Sequence, residues 1–409
     1  MISATCRRSR PRRVVGVAAA ATLVALGGSV ALATAAGAAP VTVTVTNNHD
    51  SGAGSLRAAL VAANGPTIIN VLAGLGTITL ASPIVFPNSD NSTVTLHGNG
   101  ITIDANGQPS ALVSNTSSFN FDAFTITGVG GNANTDAAGI VAFDGSLTVS
   151  NCDLHGNMIH ASGHDAGAIL SEGGPLAVSS CTFSGNSVRT DGERGDAGVI
   201  VAEGNTLNAS GCTVSSNKVT GAGDAATILS EGGELVVSTC KVTANTVSAG
   251  GDVGGGADSE GRNTTFRDVT ATCNTATSDG GDVAGGLLQE GGVATISGST
   301  IVGNTAKTSG DGSAKNQINS RDSTPVISSS TVSDDTTICH TQATTTTTTT
   351  TTVAVATAAE PATTVAAPAE LPRTGTQPGL LGLLGLALLT LGAACTYATS
   401  SKRRRNTTR

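Results

Sequence analysis

One period of the chain reads Asp165-Ala-Gly-Ala-Ile169-Leu-Ser-Glu172-Gly-Gly-Pro-Leu176-Ala-Val178-Ser-Ser-Cys181-Thr-Phe183-Ser-Gly-Asn186-Ser-Val188. Its apolar residues alternate with polar ones in short runs, such as Leu176 and Val178, and glycine, serine and asparagine separate these runs. Alternation with a period of two is typical of β-strands, and Gly and Asn tolerate the positive φ of tight turns. No run is long or periodic enough for a helix. The period therefore predicts short strands joined by tight turns.

Four residue types recur once per period. Asparagine recurs at Asn157, Asn186, Asn217, Asn245, Asn274 and Asn304. Cysteine precedes the first four of these at a constant distance, at Cys152, Cys181, Cys212 and Cys240. Glutamate precedes the last five at a constant, longer distance, at Glu172, Glu203, Glu231, Glu260 and Glu290. Aspartate recurs at Asp136, Asp165, Asp196, Asp224, Asp252, Asp282 and Asp311. Such a repeat of short strands indicates one coil of a parallel β-helix, with about 4.8 Å between neighbouring coils.

We predict an all-β fold, a right-handed single-stranded parallel β-helix solenoid with three short strands in each coil. The regular repeats span residues 131–340, and residues 40–130 hold an N-terminal cap and the first coils. Residues 55–64 have the pattern of a short amphipathic helix, which would cover the open end of the solenoid. Aromatics make up 2% of the chain and Trp is absent, so small aliphatic residues and Thr must fill the interior.

The N-terminal segment 1–39 has the pattern of a secretory signal peptide. A cluster of arginines, Arg7, Arg8, Arg10, Arg12 and Arg13, precedes an apolar stretch from Val14 to Leu32. Small residues then offer a cleavage site after Ala38 or Ala39. We therefore expect the chain to be secreted.

The C-terminal segment 371–409 has three parts in a fixed order. They are Leu371-Pro372-Arg373-Thr374-Gly375, an uncharged apolar stretch from Gly379 to Tyr397, and the basic run Lys402-Arg403-Arg404-Arg405. The apolar stretch is just long enough to cross a hydrocarbon core as a transmembrane helix, and the basic run predicts its cytoplasmic end. Residues 341–370 form a stalk rich in Thr, Ala and Pro, which we expect to be disordered because it cannot bury enough apolar area to fold.

This three-part segment resembles the cell-wall sorting signal of LPxTG surface proteins of Gram-positive bacteria. The resemblance implies that a sortase cleaves between Thr374 and Gly375 and joins the Thr374 carbonyl to an amine of a peptidoglycan precursor. A sortase and covalently bound peptidoglycan are therefore the implied partners. The implied location is the cell wall, reached through a membrane-spanning precursor.

Three stretches nearer the N-terminus resemble bacterial surface proteins with pectin-lyase-like right-handed β-helices. They are Asp50-Ser-Gly-Ala-Gly-Ser-Leu-Arg-Ala-Ala-Leu60, Gly76-Thr-Ile-Thr-Leu80 and Phe124-Thr-Ile-Thr-Gly128. The repeats are also similar to the Gly-Gly-x-Ile and Phe-x-x-Asn repeats of polymorphic outer-membrane proteins. The resemblance covers roughly residues 41–335. It implies an architecture and no particular activity, because chemically varied proteins share this fold.

The cysteine column allows two interpretations. Its members are expected to stack about 4.8 Å apart, which is within reach of disulfides between neighbouring coils in an oxidising location. Alternatively they are buried free thiols, since an apolar residue follows two positions after each of them. The asparagine column is expected to pass amide hydrogen bonds from coil to coil.

The acidic columns also allow two interpretations. In the simpler one, each Asp starts a turn and each Glu faces solvent at a corner of the coil. In the other, Ca²⁺ bridges neighbouring coils, because hard cations favour clustered oxygen ligands. The candidate ligands are Asp165, Asp196, Asp224, Asp252 and Asp282. We predict no other metal and no other cofactor.

The sequence shows no evident catalytic constellation. The nearest candidate is Gly163-His164-Asp165, which lies inside a repeat that is hardly broken. The Lys and Arg residues are concentrated at the two ends of the chain, in segments 1–13 and 402–409, whereas every Asp and Glu lies between these ends. The exported part is therefore acidic, and we expect no binding of nucleic acid.

These observations predict a wall-anchored surface-display protein that acts in adhesion or in binding an unidentified extracellular ligand. One alternative is a wall-bound polysaccharide lyase or glycoside hydrolase, which the resemblance in fold suggests. Another is a purely structural component of the cell wall.

Overall fold

The computed structural model describes residues 39–86, 92–115, 118–192, 195–321 and 323–339. In these ranges the chain forms a right-handed parallel β-solenoid of about ten turns, with a short α-helix near its N-terminal end. The predicted all-β architecture of parallel coils is thereby confirmed. Across the described ranges, no helix is both long enough and apolar enough to span a membrane. The predicted signal-peptide residues 1–38, the stalk and the sorting segment lie outside the described residues.

The N-terminal part comprises the helix α1 and the first eight strands. They are β1 (Val41–Val45), α1 (Leu56–Val61), β2 (Thr67–Val71), β3 (Thr77–Thr79), β4 (Ile84–Phe86), β5 (Thr93–Asp104), β6 (Leu112–Ser114), β7 (Ser118–Thr127) and β8 (Asn132–Ala133).

The regular coils follow, with four strand segments in most of them. They are β9 (Ala137–Phe143), β10 (Leu147–Ser150), β11 (Asp153–His155), β12 (Met158–Ala161), β13 (Ala166–Glu172), β14 (Leu176–Ser179), β15 (Thr182–Ser184), β16 (Ser187–Thr190), β17 (Ala197–Glu203), β18 (Leu207–Ser210), β19 (Thr213–Ser215), β20 (Lys218–Gly221), β21 (Ala225–Glu231), β22 (Leu235–Ser238), β23 (Lys241–Thr243), β24 (Thr246–Ala249), β25 (Val253–Glu260), β26 (Thr264–Arg267), β27 (Thr270–Thr272) and β28 (Thr275–Ser278). The last strands are β29 (Val283–Ala284), β30 (Leu287–Glu290), β31 (Ala294–Ser297), β32 (Thr300–Val302), β33 (Thr305–Thr308), β34 (Ala314–Lys315), β35 (Ile318–Ser320), β36 (Val326–Ser328) and β37 (Thr331–Ser333).

These strands form three parallel sheets along the solenoid, with 19, seven and 11 strands. The 19-stranded sheet takes two segments from each regular coil, for example β14 and β15. A residue with positive φ, such as Ser180 at 53°, lies between the two segments and bends the coil. Three short strands were predicted for each coil. Most regular coils have four, because the strand of the 19-stranded sheet is bent into two segments.

Neighbouring coils pair in register, so like residues stack on like. Leu147, Leu176, Leu207 and Leu235 are successive partners on one such column. Each of these side chains is at most 1% exposed, and burying a leucine contributes about 1.5–3 kcal/mol. The interior is thus a set of apolar columns that run along the solenoid axis.

The helix α1 packs beside the first coils and buries Leu56, Ala59 and Leu60. Ser55 caps it, because its Oγ accepts the N–H of Ala58 at 3.2 Å. Arg57 ties the helix to the chain around it, donating to a carboxylate oxygen of Asp50 at 2.6 Å and to the carbonyl of Pro83 at 2.9 Å. The helix therefore lies where a cap of the first coil is needed.

The predicted asparagines lie in one buried column that joins six coils. Asn186 shows the pattern: its Nδ2 donates to the carbonyl of Leu154 at 2.8 Å and to Oδ1 of Asn217 at 2.9 Å. Its own Oδ1 accepts the backbone N–H of Asn157 at 3.1 Å and the Nδ2 of Asn157 at 3.0 Å. Each amide thus satisfies buried polar groups of both neighbouring coils. Gln317 ends the column by accepting from Nδ2 of Asn304 at 2.8 Å.

A disulfide joins Cys273 to Cys339 across 66 residues, with 5.5 Å between the Cα atoms. It ties the last described residues to the solenoid, and Cys339 also lies against Gly303. Sequence reasoning missed this bridge, because it considered only the four cysteines that recur with the period. The available signal was that Cys273 and Cys339 are the two cysteines of residues 40–370 that lie off that column.

Candidate functional site

The acidic columns lie on the outer side of the 11-stranded sheet, along β13, β17, β21, β25 and β30. In each of the first three, an Asp precedes the strand and a Glu ends it, as Asp165 and Glu172 do for β13. The strand bends between them. The bend is seen in the burial pattern: the consecutive residues Ala168 and Ile169 both belong to the interior core, whereas the next residue, Leu170, belongs to a separate apolar cluster. The bend brings the two ends of the strand together around an outer trough.

Buried apolar residues line the floor of this trough. They form the outer apolar stripe, which comprises Ala138, Val141, Leu170, Val201, Ala226 and Leu229. In β17 a small residue lies beside a large one: a Cβ added to Gly198 would lie only 2.8 Å from Cγ2 of Val201. Each large residue of the stripe has a Gly or Ala three residues before it in the same strand.

Backbone hydrogen bonds hold the Asp side chains in place. In each coil, the N–H of one Asp donates to Oδ1 of the Asp in the preceding coil, at distances of 2.6 to 3.2 Å. The residues joined in this way are Asp136, Asp165, Asp196, Asp224, Asp252 and Asp282. A carboxylate is a strong acceptor for such an N–H. These hydrogen bonds between neighbouring coils therefore hold the Asp side chains in one ordered column.

The Glu side chains are half-buried, so the interpretation that they face solvent at a corner is wrong. Burial, followed by a hydrogen bond with the Asp165 carboxyl, raises the pKa of Glu203 to about 10. Burial likewise raises the pKa of Glu172 to about 8, of Glu260 to about 9 and of Glu290 to about 8. Each of these Glu residues also faces an Asp of the preceding coil. At neutral pH such a carboxyl pair holds a proton or requires a cation in its place.

Among the described residues, two groups of carboxylates are close enough to hold a metal ion. They are Asp136 with Asp165 and Glu172, and Asp252 with Asp282 and Glu290, and in each group one oxygen from every residue lies within 4.8 Å of the others. Of the five predicted ligands, Asp165, Asp252 and Asp282 belong to these groups, whereas Asp196 and Asp224 lie between them. Carboxylate oxygens suit hard cations.

Basic side chains contact both ends of the acidic columns. Among the ion pairs of the described residues, Arg321 contacts Asp282 at 3.2 Å and Glu290 at 2.7 Å. At the other end, Nδ1 of His164 lies 3.6 Å from Asp136. His164 was the nearest approach to a catalytic residue in the sequence, and the structure places it beside the acidic trough.

Asp258 is the residue of this site that sequence reasoning missed. It pairs with Leu229 on one side and with Leu288 on the other, so it occupies a position of the outer apolar stripe. Its side chain is fully buried, and burial raises its pKa well above the usual range. The signal was present in the sequence, since the equivalent residues of the other coils are Val141, Leu170, Val201, Leu229 and Leu288.

The coil that carries Asp258 also departs from the repeat in its backbone. The strand β25 has eight residues where β13, β17 and β21 have seven. Its register against β21 shifts between Ala226 and Ile228, which marks a β-bulge. The extra residue belongs to the run Gly254–Gly256, and a bulge re-aims the side chains beside it. The repeat therefore gains one residue inside the acidic trough, and the next coil, from Asp282 to Glu290, keeps it.

The four cysteines of the predicted column are buried free thiols in the structure. Each thiol donates to the carbonyl two residues earlier, as Cys181 does to Ser179 at 3.2 Å. The backbone N–H of Cys152 donates to Sγ of Cys181 at 3.4 Å, and that of Cys212 to Sγ of Cys240 at 3.3 Å. The column thus lines the interior in two close pairs.

A second polar cluster lies on the outer surface of the seven-stranded sheet. Asp191 accepts from Nε of Arg189 at 2.6 Å and contacts Nε2 of His160 at 2.7 Å. The Arg189 side chain is 59% exposed, and surface ion pairs of this kind contribute little to stability. Arg189 and His160 each contact one carboxylate oxygen of Asp191, so this cluster does not form an evident catalytic pair.

Comparison with known proteins identifies no family. No family model matches the chain, and no curated protein matches it. Among solved structures, the A-module of the mannuronan C-5 epimerase AlgE6 from Azotobacter vinelandii matches with 13% identity and a TM-score of 0.24. The match covers 73% of this chain and 91% of that module. At this identity and TM-score, the likeness assigns no residue and no activity to this chain.

Proposed function

We propose that this chain is an exported surface protein, attached to peptidoglycan by a sortase, whose solenoid is displayed outside the cell to bind an extracellular ligand. The observation that carries the proposal is the order of sequence signals around the solenoid. A signal-peptide pattern precedes it, and a stalk, Leu371–Gly375, an apolar stretch and a basic run follow it. This order is specific, because each part alone is common and the series is not.

Two structural features support a location outside the cytoplasm. The Cys273–Cys339 disulfide suits an oxidising compartment. The acidic character of the exported part keeps such a protein soluble and favours partners of positive charge. The stalk of residues 341–370 can span up to about 100 Å when fully extended, which would carry the solenoid away from its point of attachment.

Attachment is tested by mass spectrometry of wall fragments released by a muramidase from the organism that makes this protein. We expect a C-terminal peptide that ends at Thr374 and carries a peptidoglycan stem. A matched variant, Thr374→Ala, should leave the precursor uncleaved and in the membrane fraction. A mature wild-type protein that still carries residues 376–409 would contradict the proposal.

Binding and enzymatic roles are separated by incubating the purified chain with plant, host and bacterial polysaccharides. Binding without new reducing ends and without unsaturated products supports the role in adhesion. Turnover of any polymer would overturn it in favour of a lyase or hydrolase. A chain that binds none of these polymers, no host protein and no cell surface would act as a structural wall component instead.

A further inference from the structure

Asp258 lies at an apolar position of the outer trough. Its strand partners in the two neighbouring coils, Leu229 and Leu288, are fully buried, and so is Asp258. It also interrupts the outer apolar stripe, since the stripe's last member is Leu229. An acidic residue at this position cannot be explained by packing, because a leucine fits the same place in the coils on both sides.

Neither carboxylate oxygen of Asp258 has a hydrogen-bond partner among the described residues. The column aspartates differ in this respect, since each accepts a backbone N–H from the next coil, as Asp224 accepts from Asp252 at 2.7 Å. Burying an unpaired carboxylate costs several kcal/mol, which a protein offsets by pairing it with a positive charge or by keeping it neutral. Asp258 therefore requires a binding partner that the described part of the chain does not supply.

The groups around Asp258 are acidic. The charges that act on it most strongly are those of Glu260 and Asp224, followed by Glu290 and Asp252. The basic side chain in this part of the described trough is Arg321, and its ion pairs are with Asp282 and Glu290. The surroundings thus offer several oxygen ligands to a cation.

The backbone beneath this cluster is also unlike that of the preceding coils. The bulge in β25 and the run Gly254–Gly256 allow very close approach to the next coil, where a Cβ on Gly255 or Gly256 would collide with the carbonyls of Gly285 and Gly286. Bulges commonly re-aim a side chain at a functional site. The backbone change therefore begins in the coil that carries Asp258. The next coil keeps the extra residue but has Leu288 at the position of Asp258.

We propose that Asp258, together with Glu260 and Asp224, forms a binding site for one hard divalent cation, Ca²⁺ in the first place. Carboxylates prefer such ions, and Ca²⁺ accepts irregular sets of six to eight oxygens more readily than Mg²⁺ does. The carboxylates of Asp252, Asp282 and Glu290, which themselves approach within 4.8 Å of one another, lie in the adjoining part of the trough. Protons held by these carboxyl groups are released to water when the ion binds. This site is independent of how the chain is anchored.

The test is calorimetric titration of the full chain, purified in detergent and freed of divalent ions with a chelator, with CaCl₂ at neutral pH. The decisive variant is Asp258→Leu, which restores the residue found at positions 229 and 288. We expect it to bind one Ca²⁺ fewer per chain than the wild type. Ca²⁺ should also raise the Tm of the wild type more than that of the variant, since an ion that binds the folded state stabilises it.

The matched control is Asp268→Asn, which removes one negative charge from an exposed residue of the same coil. Asp268 has a φ of 56°, which Asn also tolerates, so this variant should bind Ca²⁺ as the wild type does. Asp258→Asn repeats the test with a side chain of the same size if the Leu variant does not fold. Equal Ca²⁺ uptake by wild type and both Asp258 variants would overturn the proposal. So would a wild type that binds no Ca²⁺ at millimolar concentrations, which would show that a proton alone keeps Asp258 neutral.

Discussion

The carboxyl groups of Glu203 and Asp165 lie on neighbouring coils and share a hydrogen bond, for which one of them must carry a proton. Further carboxyl groups surround the pair, and the negative charges of Glu172 and Asp196 also raise the pKa of Glu203. The arrangement recurs along the trough, where Glu172 pairs with Asp136 and Glu290 with Asp252. The solenoid therefore holds a row of carboxyl pairs whose charge depends on pH and on bound cations.

The first prediction concerns the pH dependence of stability in the absence of divalent ions. The pKa of Glu203 is raised to about 10 in the folded chain, so folding takes up a proton at any pH between its unfolded value and about 10. The stabilisation from this group is complete below its unfolded pKa and is lost as the pH rises through the folded pKa. The free energy of unfolding, measured with urea in EDTA, should therefore be larger at pH 5 than at pH 8.

The matched variant for this prediction is Glu203→Gln. Glutamine keeps the hydrogen bond to Asp165 without a titrating proton, so the variant should lose less stability than the wild type between these two pH values. We expect a difference on the order of 1 kcal/mol, because the side chain is only half-buried and solvent screens it. An unchanged or steeper pH dependence would show that Glu203 is ionised in the folded chain.

The second prediction concerns the asparagine column. Asn217→Ala removes the amide that joins Asn186 to Asn245 and leaves the buried N–H of Asn186 and the carbonyl of Phe183 without their partner. Each unsatisfied buried group costs about 1–3 kcal/mol, so the variant should lose several kcal/mol in urea unfolding. Asn208→Ala, at an exposed position of the same coil, should stay close to wild type. Equal stability of the two variants would show that the column is not structurally important.

The third prediction concerns the Cys273–Cys339 disulfide. Cys339→Ser, or addition of a reductant, should lower the stability of the C-terminal coils, because the bridge closes a long loop in the unfolded chain. The loss should be about 2–4 kcal/mol and can be localised by amide hydrogen exchange in β36 and β37. Reductant should have no further effect on Cys339→Ser. A further effect would mean that other cysteines, such as the buried column, are also oxidised in the wild type.

The fourth prediction concerns the outer apolar stripe. Leu170→Ala should destabilise the chain by about 2–4 kcal/mol, because Leu170 is fully buried even though it lies outside the main core. Met158→Ala serves as the control, since Met158 is 69% exposed and should change the Tm little. If both variants have the same Tm as the wild type, the outer apolar stripe does not contribute to stability.

The fold could be predicted because the coils repeat. The Asp, Glu, Cys and Asn of Asp165–Val188 and its alternation of apolar residues recur in neighbouring coils, so a single pattern of strands and turns extends to the parallel pairing of the regular coils. The cysteine column was placed in the interior as one of two interpretations, and the structure shows buried free thiols. The Cys273–Cys339 bridge was missed, because a pairing across 66 residues leaves no trace in the spacing of the repeat and only the position of two cysteines off the column indicated it.

The acidic site was harder to predict because the strand beneath it does not alternate. Ala168 and Ile169 both face the core, and Leu170 faces outward yet is buried. A strict period of two places residues beyond this bend on the wrong face. The sequence pattern therefore did not show that Glu172 would fold back over the trough, or that Asp258 would occupy an apolar position in it.

The asparagine column has a consequence for how such a chain changes length. Asn186 bonds only to the coils directly before and after it, and Asn217 presents the same atoms as Asn245. Removal of residues 187–217 would bring Asn186 against Asn245 with every bond of the column preserved. Gene duplications or deletions of one whole period would therefore lengthen or shorten the rod in steps of about 4.8 Å. The length of the solenoid is thus a property that can evolve without any change to its internal bonding.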